Sequence, residues 1–217
     1  VNSTRKVISS AAMEIFRNPA IHQHINAAQA SIATAHRKRA NLRDAAATSA
    51  HSALVGATAL RKIAADSEIS ALEVYGVLTP ALAETFQRAP LQVMAKLDRI
   101  AGGEGVPERQ APRLSALAQL VGQVETCALL HGEILGHLIF GPRSIVVGYA
   151  TVRLNAMASG LDPKGLAMPE PYLLRDPAAH TALIRDYCRG EVDPLALAHF
   201  AAWRRGGEEA ARVADRL

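Results

Sequence analysis

The sequence predicts an all-α fold, a multi-helix bundle in one domain, and three observations carry that prediction. The apolar residues are mostly Ala, Leu, Val and Ile, with 4% aromatics, and alanine has the highest intrinsic helix propensity. Asn, Thr or Asp stands directly before proline at Asn18-Pro19, Thr79-Pro80, Asp162-Pro163, Asp176-Pro177 and Asp193-Pro194. Such side chains accept from first-turn amides, and proline loses nothing at the first helical position. Apolar residues recur at steps of three and four, and no run alternates with the period of a strand.

The elements follow in order. A first helix is expected over about 3–16. A long helical stretch runs from Pro19 to about Ala65, with Ile21, Ile25, Ala28, Ile32 and Ala35 on one stripe. Residues 3–65 could form an appended helical hairpin on the single domain 1–217. Helices are expected near 69–78, 80–88 and 91–100, the latter opened by Pro90. AGGEGVPERQ, 101–110, has three glycines and a proline and reads as a loop. The spacing of Leu114, Leu117, Val121, Val124, Ala128, His131, Leu135 and Leu138 predicts a central helix over about 112–138. A helix over 144–159 ends at Gly160, suited to a left-handed C-terminal position. Helices near 177–188 and 194–213 complete the chain.

At 217 residues the chain is long enough for a well-buried core. With 49% hydrophobic and 20% charged residues it is not a disordered chain. A net charge of +4 is mildly basic. The densest cluster, AHRKRANLR, places Arg37, Lys38, Arg39 and Arg43 together, with no interleaved aromatics to stack bases. It reads first as a solvated helix face, and nucleic-acid binding is the lesser reading. Cys127 and Cys188 lie far apart, which excludes a disulfide framework. No apolar stretch is long enough to span a bilayer, and VNSTRKVISS has no secretory core. No membrane association and a cytoplasmic location are expected.

The candidate chemistry is sparse. Glu133 and His137 are four apart and share a helix face, with His131 well round from them. HxExxxH is not the HExxH spacing that sets two imidazoles on one zinc, so no metal site is expected. Cys127 and His131 read as a core pair rather than a thiol–imidazole dyad. No GxGxxG, Walker or GxSxG motif occurs, and no cofactor is expected.

Residues 131–163, HGEILGHLIFGPRSIVVGYATVRLNAMASGLDP, resemble the Fic (Fic/DOC) family. Active members of that helical family move adenylyl or related groups from a nucleotide to a protein hydroxyl. Their pattern is a histidine, then seven residues later HPFxxGNGRxxR, then a helix ending in Gly-Leu-x-Pro. His131 stands at the first histidine, Leu138-Ile139-Phe140 at His-Pro-Phe, and Gly160-Leu161-Asp162-Pro163 closes the frame without a gap. The resemblance implies a Fic-like bundle whose chemistry is lost. The base position is Leu138, the Gly-Asn-Gly positions are Arg143, Ser144 and Ile145, and the two arginine positions are Val146 and Tyr149. Loss of a general base alone lowers rate about 10²- to 10⁴-fold. His137 precedes the vacant place by one residue, a turn of about 100° on a helix, and is expected to point elsewhere. The family's inhibitory signature, Ser or Thr, then Glu, then Gly or Asn, has an echo in Ser10-Ala-Ala-Met-Glu14, followed by Ile15.

The expectation is a degenerate Fic-like protein that acts by binding a protein partner, itself, or an anion or nucleotide. Arg143 and the helix start at Ser144 are the candidate anion site. The alternative is an enzyme of altered chemistry using His131, Glu133, His137 or Arg143 in one cleft.

Overall fold

A computed structural model describes residues 2–64 and 71–217, and these are all-helical, with no strand among the described residues. In chain order the α-helices are α1 (Asn2–Arg17), α2 (Pro19–His36), α3 (Arg39–Arg43), α4 (Ala46–Leu60), α5 (Ala71–Gly76), α6 (Pro80–Arg88) and α7 (Pro90–Ile100). They continue with α8 (Ala111–Leu117), α9 (Thr126–Gly136), α10 (Ser144–Ala158), α11 (Glu170–Leu173), α12 (Pro177–Cys188) and α13 (Val192–Ala214). A 3₁₀ turn, Gly141–Arg143, leads into α10. The expected end of the second stretch at Ala65, and the first two residues of the helix expected at 69–78, lie outside the described residues.

Three of the proline pairs start helices as expected. Asn18 accepts from the amides of Ala20 and Ile21, Thr79 from Leu82, and Asp176 from Ala178 and Ala179. The other two act differently. No helix starts at Pro163. Asp162 is buried, accepts from the Leu166 and Ala167 amides at 3.0 and 2.8 Å, and takes a 2.8 Å contact from His36 Nε2. Asp193 lies inside the first turn of α13 and accepts from Asn18 Nδ2 at 2.6 Å.

Two long helical stretches of the sequence reading are broken, and a buried asparagine braces each break. The stretch after Pro19 divides into α2, α3 and α4 because Lys38 and Asp44 are extended. Asn41 stitches the break: its Nδ2 donates to Ala35 O at 2.9 Å, and its Oδ1 accepts from Thr48 at 2.6 Å. The helix expected over 112–138 divides into α8 and α9. Gly122 has φ 95°, a left-handed conformation that ends helical hydrogen bonding. Asn155 holds that turn, accepting from Gly122 N at 2.9 Å and donating to Gln123 O at 2.8 Å.

The helices α9 and α10 are buried on nearly every face and form the centre, joined by the short 137–143 connection. The others surround them. The stripe Ile21, Ile25, Ala28, Ile32 of α2 packs along α13. It joins the same apolar core as Leu130, Ile134, Val147 and Leu154. Close approach is possible because Gly207 faces Ile32: a Cβ there would lie 2.8 Å from the Ile32 amide nitrogen.

A buried ion pair also crosses the bundle. Arg153 of α10 donates from Nε and Nη2 to Glu170 at 2.6 and 2.7 Å, and from Nη1 to Ser52 Oγ of α4 at 2.8 Å. Tyr75 of α5 donates to Glu170 Oε1 at 2.9 Å. Such a pair is satisfied only when all of its polar atoms are bonded, and here four helices supply the partners.

Candidate functional site

The central helix α9 carries polar side chains on two faces, and they meet different surroundings. Glu133 and His137 face a surface pocket of about 220 Å³, lined also by Ser10, Glu14, Arg113, Tyr187 and Cys188. Its walls come from α1, α8, α12, the C-terminal end of α9 and the start of α13. Glu133 is almost wholly buried, and both of its oxygens are bonded. Arg113 Nη1 donates to Oε2 at 2.7 Å and the Tyr187 hydroxyl to Oε1 at 3.1 Å. The Tyr187 ring reaches that position because Gly132 has no Cβ, which would stand 2.6 Å from the ring.

His137 Nε2 lies 3.6 Å from Glu133 Oε2. Burial lowers the His137 pKa, Glu133 pulls it up and Arg113 lowers it further, so the ring is neutral at pH 7. Burial raises the Cys188 thiol, and Glu133 adds to the rise. The thiol is therefore protonated and a poor nucleophile. The pocket offers a neutral imidazole and the Glu14 carboxylate, which has no partner among the described residues, around an Arg113–Glu133 pair whose Arg113 Nε is buried without a partner.

The opposite face of α9 holds His131, wholly buried with a cluster that sequence reasoning did not assemble. His131 Nε2 and His180 Nε2 (α12) are 2.9 Å apart, and the Tyr149 hydroxyl (α10) is 3.1 Å from the same His180 nitrogen. The His199 ring (α13) lies 5.4 Å from that of His131, centroid to centroid. Trp203 Nε1 donates to His199 Nε2 at 2.9 Å. Nδ1 of His131 and Nδ1 of His199 are buried without a partner. Burial is the first cause of every shift here. His131 is held well below the usual imidazole range, with His180 and His199 adding to the effect. His180 is lowered to about 4, and His199 to about 3 with a further contribution from His180. All three rings are neutral at pH 7. The signal for His199 lay in the sequence: Leu195, Ala196, His199, Phe200 and Trp203 share one buried stripe, so the histidine sits where a leucine would.

The remaining sequence candidates stand apart. Leu138, which the resemblance sets at the base position, is 43% exposed with φ 47°. Val146 and Tyr149, which the resemblance sets at the arginine positions, are buried in the core. Arg143 Nε donates to Asp98 at 2.7 Å and Nη2 to Glu108 at 2.7 Å, so an anion there would compete with two carboxylates. Ser144 is buried, its hydroxyl accepts from Phe140 N at 2.8 Å, and its amide bonds Gly141 O. The helix start it was expected to cap is thus continuous with the preceding 3₁₀ turn. The cleft expected to unite His131, Glu133, His137 and Arg143 is divided: only Glu133 and His137 share a pocket. Cys127 bonds Asn155 at 3.2 Å, and burial pushes its thiol up to about 12. Arg37, Arg39 and Arg43 are exposed, and Lys38 pairs with Asp215 at 2.7 Å.

Among the described residues no three His, Cys, Asp or Glu side chains form a set that could hold a metal ion, and no helix is long and apolar enough to cross a membrane. No family model, curated protein or solved structure matches the chain.

Proposed function

We propose that this chain is a Fic-like helical protein without the family's transferase chemistry, and that it works by binding at the Glu133–His137 pocket. The observation that carries this reading is the composition of that pocket. It lies beside the loop that stands for the catalytic motif, and Ser10 and Glu14, the echo of the inhibitory signature, line it. Leu138, by contrast, has no proton to exchange. Glu14 and Glu133 outnumber Arg113, whose charge Glu133 already offsets. By charge complementarity the pocket favours a cationic group, such as the Lys or Arg side chain of a protein partner or of a second copy of this chain. A phosphate-containing ligand would meet like charge.

Two experiments test this. Incubation with labelled ATP, magnesium and a cell extract is expected to transfer no label. Robust labelling that disappears in His137→Ala would overturn the reading. Agmatine, a guanidinium probe, is expected to raise the melting temperature of the wild type and not of His137→Trp, which fills the pocket. An equal rise in both rejects the seat. A second reading, an enzyme of altered chemistry, rests on the neutral His137 ring 3.6 Å from Glu133, beyond direct hydrogen-bond reach and joined for proton transfer only through a water or a substrate group. Turnover lost in both His137→Gln and Glu133→Gln supports it over binding alone.

A further inference from the structure

A second surface pocket, of about 480 Å³, opens between α11, α12 and α13. Its walls are largely apolar, with Tyr172, Leu173 and Leu183 among them, and Arg175 and Asp176 lie on the lining. His180 also lines it and is 4% exposed. Apolar walls with a few converging polar groups are the usual form of a small-molecule site.

The interior hydrogen bonds fix what His180 can offer this pocket. Among the described residues the Tyr149 hydroxyl has one hydrogen-bond partner, His180 Nε2. That nitrogen is therefore the lone-pair acceptor, and the proton of the neutral ring sits on Nδ1. Nδ1 makes no hydrogen bond within the described protein and is not among the buried orphan atoms, so it is left facing the pocket as a donor. The same logic runs inward. Trp203 can only donate, so His199 Nε2 accepts and His199 Nδ1 carries hydrogen. His131 Nε2 also faces the His180 Nε2 lone pair, which it shares as a second donor with the Tyr149 hydroxyl, and His131 Nδ1 keeps a lone pair. The two orphan atoms are thus a buried acceptor, His131 Nδ1, and a buried donor, His199 Nδ1, each without a partner.

A pocket whose floor presents an N–H requires an acceptor. Arg175 is exposed and makes no ion pair or hydrogen bond with any described residue, so the acceptor that fits is anionic. Asp176 is the acid on the lining, and its Oδ1 is held at 3.0 Å by both the Ala178 and Ala179 amides. We propose that this pocket binds a small carboxylic acid with an apolar body, its carboxylate between His180 Nδ1–H and the Arg175 guanidinium and its body against Tyr172, Leu173 and Leu183. The site is independent of the Glu133–His137 pocket, and its probes carry the opposite charge.

The test uses phenylacetate and isovalerate, with uncharged phenylacetamide as control, titrated at pH 7 by calorimetry. Trp203, the only tryptophan in the chain, gives a second readout through its bond to His199. Each acid is expected to saturate with a Kd of about 1 mM or tighter, the range for ligands of this size. Phenylacetamide should bind about tenfold more weakly, because the charge-assisted bonds are lost. Arg175→Ala alters an exposed side chain and leaves the fold intact. It should weaken both acids about tenfold, and Ala198→Phe, which fills the pocket, should abolish binding. No saturation by either acid overturns the proposal. So does equal affinity for the amide, or affinity unchanged in both variants.

Discussion

Replacing Glu170 by Gln tests how the bundle holds a buried charge. Arg153 and Glu170 are 3% and 0% exposed, so neither ion has water to fall back on. The substitution keeps the shape and removes the negative charge. One amide oxygen can still accept from Arg153, but the new amide NH₂ opposes a guanidinium nitrogen that now donates to Glu170 Oε2 at 2.7 Å. Ser52 then supplies the remaining acceptors, its hydroxyl at 2.8 Å and its carbonyl at 3.3 Å. Leaving one member of such a pair uncompensated destabilises by about 3–5 kcal/mol. For a domain of this size that corresponds to a fall in melting temperature of about 6–20 °C. Urea denaturation followed by circular dichroism measures the loss directly. The second half of the test is the double variant Arg153→Met/Glu170→Leu. It removes both charges and should recover most of the stability, since the pair's own net contribution is small. A single variant within about 1 kcal/mol of wild type, or a double variant no better than the single, would refute the reasoning.

Other expected outcomes follow from the same structure. The His180 pKa, about 4, lies below the ordinary 6.5, so the unfolded chain takes up protons first as pH falls. Stability is then full above pH 6.5 and declines between 6.5 and 4, by about 3 kcal/mol for this ring alone. Urea midpoints measured from pH 7 to 4 should fall accordingly, and a flat profile excludes the buried neutral cluster. Gly206→Ala should destabilise by about 1–3 kcal/mol, because its Cβ would stand 2.6 Å from the Met168 carbonyl carbon, and backbone cannot move aside cheaply; an unchanged midpoint rejects this. Leu138→Gly should stabilise by about 0.5–1 kcal/mol, since Leu138 occupies a left-handed helix-terminal position that suits glycine; a lower melting temperature contradicts it. Thiol labelling followed by mass spectrometry should modify exposed Cys188 in the native protein and buried Cys127 only after unfolding. Equal rates would show that Cys127 is not enclosed.

Much of the helical layout was legible because its signals are local. Thr79-Pro80 and Asp176-Pro177 start α6 and α12 at the expected residues, and Gly160 has the left-handed φ of 79° expected beyond α10. The errors arose where side chains reach far along the chain. Asn41 and Asn155 look unremarkable beside their neighbours, yet each replaces helical hydrogen bonds with bonds to another segment. Asp162 resembles a helix cap and is instead locked against His36, 126 residues away. The candidate chemistry suffered the same way. Periodicity paired Glu133 with His137 correctly because Glu133 lies on α9 and His137 is its C-terminal cap. It could not bring Arg113 and Tyr187 to them, or His180 and His199 to His131, since those residues lie on separate helices whose packing is a property of the whole core. The orientation of Arg143 depends likewise on Asp98 and Glu108, neither marked by spacing.

The seam between α2 and α13 bears on how the protein is made. Ser31 bonds Arg204 across 173 residues of sequence, and the partner of the α2 apolar stripe is the last helix of the described chain. At about 5–20 residues per second on the ribosome, roughly 9–35 seconds separate the synthesis of the two faces. During that interval Ile21, Ile25 and Ile32 have no native cover. A nascent chain in this condition is a natural client for chaperones that shield apolar helices. Slowing translation late in the message would lengthen the interval and lower the soluble yield, even though the finished protein would be unchanged.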